Sequence, residues 1–267
     1  MFGWQTADRM FDQALNFQLE QAVKKPAAKA KGSKRVASQP TPPGTIQRPS
    51  ADGTRERILD AAERVFAYKG YDGTTLRDVA AEADVQLANI AHHFGPKESL
   101  FEKVIERRAT TMGELRLNAL HRYRRDAGDG PIPLELLIEG YVWPFIERSS
   151  RHGEGWKSYA QLVARLANSF RWGPIISKNY DSVAEQYIHE LNTTLPHASA
   201  AAIYNCFHFM VGAMLVACAE SGRIERLSKG NVHSRDLEGM FDDMLPFLKA
   251  GFLAIADSRH ISSPPAH

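Results

Sequence analysis

The sequence has only two cysteines, Cys206 and Cys218, and both fall in one apolar segment. Twelve residues apart on a single predicted helix, they would sit roughly 18 Å from each other, far beyond disulfide reach. That usage fits a reducing cytoplasm rather than a disulfide-stapled secreted domain. Long runs of uncharged apolar residues are also missing, so no membrane span and no membrane partner are expected. The N-terminus does not have the order of a secretion signal: Asp8, Asp12 and Glu20 interrupt its apolar residues, and the positive charges come after them. Catalytic spacings are absent as well. There is no nucleophile elbow, phosphate loop, His-Glu-x-x-His or Cys-x-x-Cys. Cys206, His208 and Cys218 make a poor metal set, because one helix turns Cys206 and His208 to diverging faces. No catalytic residue, metal or cofactor is expected, and an enzyme is the weaker reading.

Acid is absent altogether between Val23 and Ala51, where Lys24, Lys25, Lys29, Lys31, Lys34, Arg35 and Arg48 lie. The formal net charge of +2 over 267 residues therefore hides a local concentration of positive charge. A basic arm attracts phosphate or an anionic surface, and a merely solvated linker is the competing reading. Pro40, Pro42, Pro43 and Pro49, with many Ala, Ser and Gly, leave residues 23–53 unable to bury a core. Before them, Trp4, Ala7, Met10, Phe11, Ala14 and Leu15 are spaced for a short amphipathic helix, or for a weakly ordered extension.

From Thr54 onwards the periodicity is helical. Ile58, Leu59, Ala62, Val65 and Phe66 share a face, and Gly70 stands where a positive-φ stop is needed. Thr75-Leu76-Arg77-Asp78 has the form of a capping box that opens a short second helix ending near Ala83. Val85 to Phe94 makes a third helix. Gly95-Pro96-Lys97-Glu98 starts a fourth, with Pro96 at its first position, running towards Tyr123. After a break at 126–133, helices are expected near 134–149, 155–170, 174–194, 198–221 and 234–257. No segment alternates like a strand, so the fold class is all-α.

Two short helices joined at Glu82-Ala83-Asp84-Val85 form the device that lays a helix in the major groove. Ala80, Val85, Ile90 and Phe94 would lock the pair, leaving Gln86, Leu87, Asn89, His92 and His93 to face outwards. Gln and Asn can pair in two-pronged fashion with adenine, and Leu87 can touch a thymine methyl.

The run from Thr54 to Tyr71, then Thr74 to Ala80, then Val85 to Phe101 resembles the DNA-binding domain of TetR-family regulators in residue type, order and spacing. The resemblance implies that Thr75 contacts phosphate at a helix N-terminus. It implies that Gln86, Leu87 and Asn89 approach bases, while His92, His93 and Lys97 contact the DNA backbone. One departure is visible: family members commonly carry tyrosine where this chain has Ala91 and His92, and the charge of a histidine there would depend on pH. The segments Gln161–Ala167, His208–Gly212 and Met244–Gly251 resemble the PsrA-like subgroup. That likeness implies a response to long-chain fatty acids or their thioesters through an apolar pocket.

The expected organisation is a basic extension over 1–53, the DNA-binding domain over 54–101, a helical ligand-binding and dimerisation domain over 102–258, and a tail over 259–267. Candidate ligand contacts are Trp143, Trp156, Tyr159, Leu162, Arg165, Phe170, Trp172, Tyr187 and His208, although any single aromatic or aliphatic one of them reads more simply as core. Arg165 lies among apolar residues, where a charge is costly unless paired. Glu139, Glu185 or a ligand carboxylate would satisfy it, while His208 reads most simply as a core histidine. Dimerisation is expected through the last two long helices, rich in Gly, Ala, Met and Phe. The function implied is a repressor that binds an operator in double-stranded DNA as a homodimer near the nucleoid, and a small hydrophobic ligand releases it. The rival from another class is an enzyme, and a second rival is a ligand-independent architectural DNA binder.

Overall fold

The computed structural model describes residues 51–167 and 169–257; the expectations for 1–50 and the tail lie outside them. Ten α-helices and one short 3-10 turn make up the described residues, and no strand occurs among them. They are α1 (Ala51–Gly73), α2 (Leu76–Ala83), α3 (Leu87–Phe94), α4 (Lys97–Ala127) and α5 (Leu134–Arg151). After these come α6 (Glu154–Leu166), α7 (Gly173–Thr194), α8 (Ala200–Cys218), α9 (Arg223–Leu227) and α10 (Leu237–Asp257), with the 3-10 turn at Phe170–Trp172.

α1 begins three residues before the expected Thr54, and its regular course breaks at Gly70, where φ is 73° and ψ 172°. That combination is open to glycine and strained for any side chain. The break lets the Thr74 hydroxyl donate to Gly70 O at 2.7 Å and sets up the start of α2. Pro96 stands just outside α4 as its N-cap instead of taking the first helical position, because its ψ of 163° is extended. α4 then runs unbroken through the expected boundary at 101/102, so one helix belongs to both functional halves.

Burial follows the apolar stripes. Ile58, Leu59, Ala62 and Phe66 of α1 pack with α2, α4 and α6. α4 continues against α5 and α7, and α10 lies on α5 and α8. One buried acid interrupts this core. Glu63 on α1 accepts from Arg108 Nε at 2.8 Å and Nη2 at 2.9 Å, and from Arg107 Nη2 at 3.1 Å. These bonds pin the first helix to the fourth.

The expectation of no membrane-length apolar helix needs correction. α8 is long and apolar enough to cross a membrane by length and composition, with mean hydropathy 1.7. Asn205 and His208 interrupt the apolar run, yet the helix carries no charge. Its Ile203, Cys206, Phe207, Met210 and Met214 pack into the helical core. Both thiols are free and buried, and burial pushes Cys218 up to about 12.

Candidate functional site

The second and third helices are fixed by local chemistry. Thr75 accepts from Asp78 N at 3.2 Å, while Thr75 N and its hydroxyl donate to Asp78 Oδ2 at 2.8 and 2.7 Å. Lys69 adds a 2.8 Å ion pair, and with Thr75 it holds the Asp78 carboxyl well below the usual carboxylate range. The turn is made by Asp84 in the left-handed region, φ 50° and ψ 55°. Val85 N reaches back to Ala80 O at 3.0 Å, and Arg57 donates to Asp84 O at 3.1 Å. Val85 belongs to this turn, so the third helix starts at Leu87 with Gln86 as its N-cap.

Ile90 and Phe94 are buried and anchor α3. Gln86, Leu87, Asn89 and His92 are exposed on it, Leu87 to 42%, and Thr75 is exposed at the start of α2. His93 is half-buried, its ring edge-on to His92 with centroids 5.2 Å apart. Lys97 is differently placed. Its Nζ donates to Tyr71 O and Thr74 O, both at 2.9 Å, and lies 4.2 Å from the centre of the Tyr71 ring.

In the second half a cavity of about 280 Å³ opens between α4, α5, α6, α7 and α8. Its wall includes Arg116, Tyr141, Phe145, Tyr180, His208 and Met214. Of the nine residues expected to meet ligand, His208 lines this space, and it is exposed instead of lying in the core. Tyr159 is buried one layer behind, its hydroxyl bonded to that of Tyr180. Tyr187 is buried beneath Tyr141, rings 5.1 Å apart, and donates to Arg116 O at 2.9 Å.

The other six lie elsewhere. Trp143 packs on Phe241 of α10, Trp156 lies under Arg108, and Leu162 is core. Phe170 is fully exposed. Trp172 packs on Tyr71 and Phe101, between α1 and α4. Arg165 meets neither Glu139 nor Glu185; it is exposed and donates to Ala67 O and Tyr68 O near the end of α1.

Sequence reading missed Arg116, although a signal was present. Ala109, Met112, Arg116, Leu120 and Tyr123 are the buried stripe of α4, so a charge stands on an apolar face. It missed most of the α8 wall too, where Tyr204, Phe207, Val211 and Met214 accompany the expected His208 at helical spacing. No cluster of three or more His, Cys, Asp or Glu able to hold a metal occurs among the described residues.

A helix-turn-helix followed by a helical domain with an apolar cavity between its helices defines a two-part regulator. Residues 58–104 match the family described as "Bacterial regulatory proteins, tetR family", and residues 139–251 match "Tetracyclin repressor-like, C-terminal domain". The chain belongs to the TetR family of transcriptional regulators, and neither description is of an enzyme. It is 38% identical over 52 residues to the biofilm operon icaADBC HTH-type negative transcriptional regulator IcaR of Staphylococcus aureus (strain Newman). That match covers 20% of this chain and 28% of the relative, so it spans little more than a quarter of that protein. Among solved structures, a TetR-like transcriptional regulator from Rhodococcus sp. RHA1 is similar with a TM-score of 0.55 and 19% identity. The similarity covers 80% of this chain and all (100%) of that one. A putative fatty acid metabolism regulator from Clostridium perfringens follows with a TM-score of 0.54 and 18% identity over 73% of this chain and 97% of its own. At such identities the likeness is one of fold.

Proposed function

We propose that this chain is a sequence-specific repressor that binds an operator in double-stranded DNA as a homodimer and is released by a small apolar ligand. The observation that carries this reading is the outer face of α3, where Gln86, Leu87 and Asn89 stand exposed while Ile90 and Phe94 fix the helix from beneath. In this reading Gln86 and Asn89 pair with adenine edges and Leu87 covers a thymine methyl. Thr75 and the free amides opening α2 meet a phosphate, with His92 and His93 along the backbone. Lys97, whose amine is occupied by two carbonyls, sets the angle of the fourth helix.

Support for the dimer comes from the outer faces of α8 and α10. Val216 is 75% exposed and Phe247 73%, beside a hollow of about 720 Å³ that they line together. Apolar area of this kind is covered in a stable protein, and a second copy covers it with two-fold symmetry. The two α3 helices then meet half-sites one DNA turn apart, about 34 Å. Support for ligand release comes from α6. Val163 and Ala167 line the cavity, and Arg165 between them holds the end of α1. The protein acts in the cytoplasm, where its DNA lies.

The test is selection of bound sites from random duplex DNA, followed by Asn89→Ala and Gln86→Ala on the selected site. Each substitution is expected to cost about 1–3 kcal/mol on that site and little on random DNA. Equal losses on both would remove the base-reading role, and no selected site at all would remove the regulator reading. A selected site that no small molecule releases would favour the architectural binder.

A further inference from the structure

Arg116 is 2% exposed, and no carboxylate of the described residues pairs with it. Its Nε donates to Tyr141 O at 2.8 Å, and Nη2 lies 3.5 Å from the Met214 sulfur. The guanidinium carbon sits 3.8 Å from the centre of the Tyr141 ring. The first of these bonds has a structural reason. Pro144 in α5 has no N–H to give Gly140 O, and Arg116 serves the neighbouring carbonyl where the helix is opened. That task uses one of five donors. A thioether sulfur is a weak acceptor for another, and an aromatic face attracts the charge without neutralising it. A buried cation held only in this way is an uncompensated charge, which proteins avoid without a partner.

The partner's place is the cavity that Arg116 lines. Of the phenols near the guanidinium, Tyr141 and Tyr180 line the cavity, and the Tyr180 hydroxyl is bonded to that of Tyr159 behind it; burial raises Tyr159 and Tyr180 above the usual phenol value, so neither supplies a negative charge. The guanidinium fork has donors left over, and of the two hydroxyl hydrogens of the Tyr159–Tyr180 pair one is used within the pair; donors at one end of an apolar space fit an acceptor-only group. The rest of the wall is apolar, from Phe145, Val163, Ile176 and Val211. Asp181 is the acid in the wall; it is exposed, and the Ser177 hydroxyl donates to it.

We infer that the ligand of this cavity is a free carboxylic acid with a compact apolar body, its carboxylate bound by Arg116 and its tail along α7 and α8. This rests on the proposed ligand-released regulator and makes its ligand an anion. The size is set by the space. At about 280 Å³ the cavity is nearly twice the ~150 Å³ apolar cavity that admits benzene, so it holds on the order of a dozen heavy atoms. A long acyl chain would run out through the open side of that space, and the thioester group has no charge to offer the arginine. A medium-chain or aryl carboxylate fits both.

The experiment is isothermal titration of the full chain with decanoate and with 1-decanol, which differ in the charged end. Decanoate is expected to bind at least about tenfold more tightly, the worth of one charged hydrogen bond. Arg116→Met should weaken decanoate by on the order of 10- to 100-fold and leave decanol unchanged, while Arg116→Lys keeps part of the preference. Equal binding of both probes by the wild type overturns the inference, and so does binding of neither. If Arg116→Met does not fold, the wild-type comparison and Arg116→Lys decide the matter. Release of a selected operator is followed on the same preparation. An operator released equally by both probes removes the carboxylate and leaves the regulator. Decanoate binding through Arg116 with no operator selected removes the regulator and leaves the site.

Discussion

The indole of Trp172 meets the ring of Tyr71 edge-on, with centroids 4.6 Å apart, and so joins the segment after α6 to the end of α1. The same seam carries Arg171 paired to Asp72 at 2.9 Å and Arg165 bonded to Ala67 O. Deeper in, Arg107 and Arg108 close on Glu63. The helix that lines the cavity is thus bonded directly to the helix that supports the DNA-reading pair. Displacement at Val163 or Ala167 reaches α1 without an intermediary. Coupling between distant sites requires a connection of this kind together with a second arrangement of the same elements.

Trp172→Ala removes the aromatic plug of that seam. A buried tryptophan cut to alanine costs about 3–5 kcal/mol, and the lower figure applies where its neighbour Phe170 leaves the site open to solvent. Thermal unfolding should fall by roughly 6–12 °C for a chain of this size. Operator release by ligand should weaken along with it. A melting temperature within a degree or two of the wild type would show that the ring contact contributes nothing.

Lys97→Met separates a brace from a phosphate contact. The amine serves two carbonyls at 2.9 Å, so its loss should destabilise the protein by about 1–2 kcal/mol. The slope of log affinity against log salt should stay where it is, since no counterion is exchanged. A slope reduced by about 0.9 would place the amine on a phosphate when DNA is bound.

The DNA-reading half was legible because its determinants are local. The Thr75–Asp78 cap, the Gly70 stop and the Asp84 turn each depend on residues within a few positions, and side-chain identity names them. Helices near 134–149, 174–194 and 234–257 were legible from periodicity for the same reason. The cavity was not, because it is defined by which faces of five helices meet. Aromatic residues alone could not separate Tyr180, which lines it, from Trp143, which packs under α10, or Phe170, which faces solvent. Arg165 and Arg116 show the same limit. Both interrupt apolar runs, yet Arg165 points out to the α1 carbonyls and Arg116 points in, and the direction follows from helix phase against a partner.

Acid should loosen the DNA-reading half through Asp78. Its folded carboxyl titrates below its unfolded value, chiefly because Lys69 bonds it and then because Thr75 does. A group so depressed stabilises the fold fully above its unfolded pKa and loses that contribution as pH falls through the folded one. Wild type should therefore melt above Asp78→Ala at neutral pH, and the gap should close as pH drops below about 4. A gap that stays constant down to strong acid would mean the carboxylate's charge is not what stabilises the cap.

Gly155 gives the sharpest test of the buried acid. It opens α6 beside Glu63, and a Cβ there would stand 2.5 Å from Arg108 Nη2 and 2.9 Å from Glu63 Oε1. Arg108 has room to retreat, but Glu63 is buried, so an alanine would push the arginine off the carboxylate it pairs with. Two effects of opposite sign then compete. Alanine for glycine inside a helix ordinarily stabilises by about 0.5–1 kcal/mol. Loss of half of a buried pair costs more, about 2–4 kcal/mol where the arginines keep some solvent. Gly155→Ala should therefore destabilise by a net of about 1–3.5 kcal/mol, against its helix propensity. In a Glu63→Gln background the pair is already lost, and the same substitution should be neutral or stabilising. Chemical denaturation of the four proteins gives the coupling directly. A stabilising Gly155→Ala in the wild-type chain would mean that the Glu63–Arg108 contact does not tie α1 to α4 in solution.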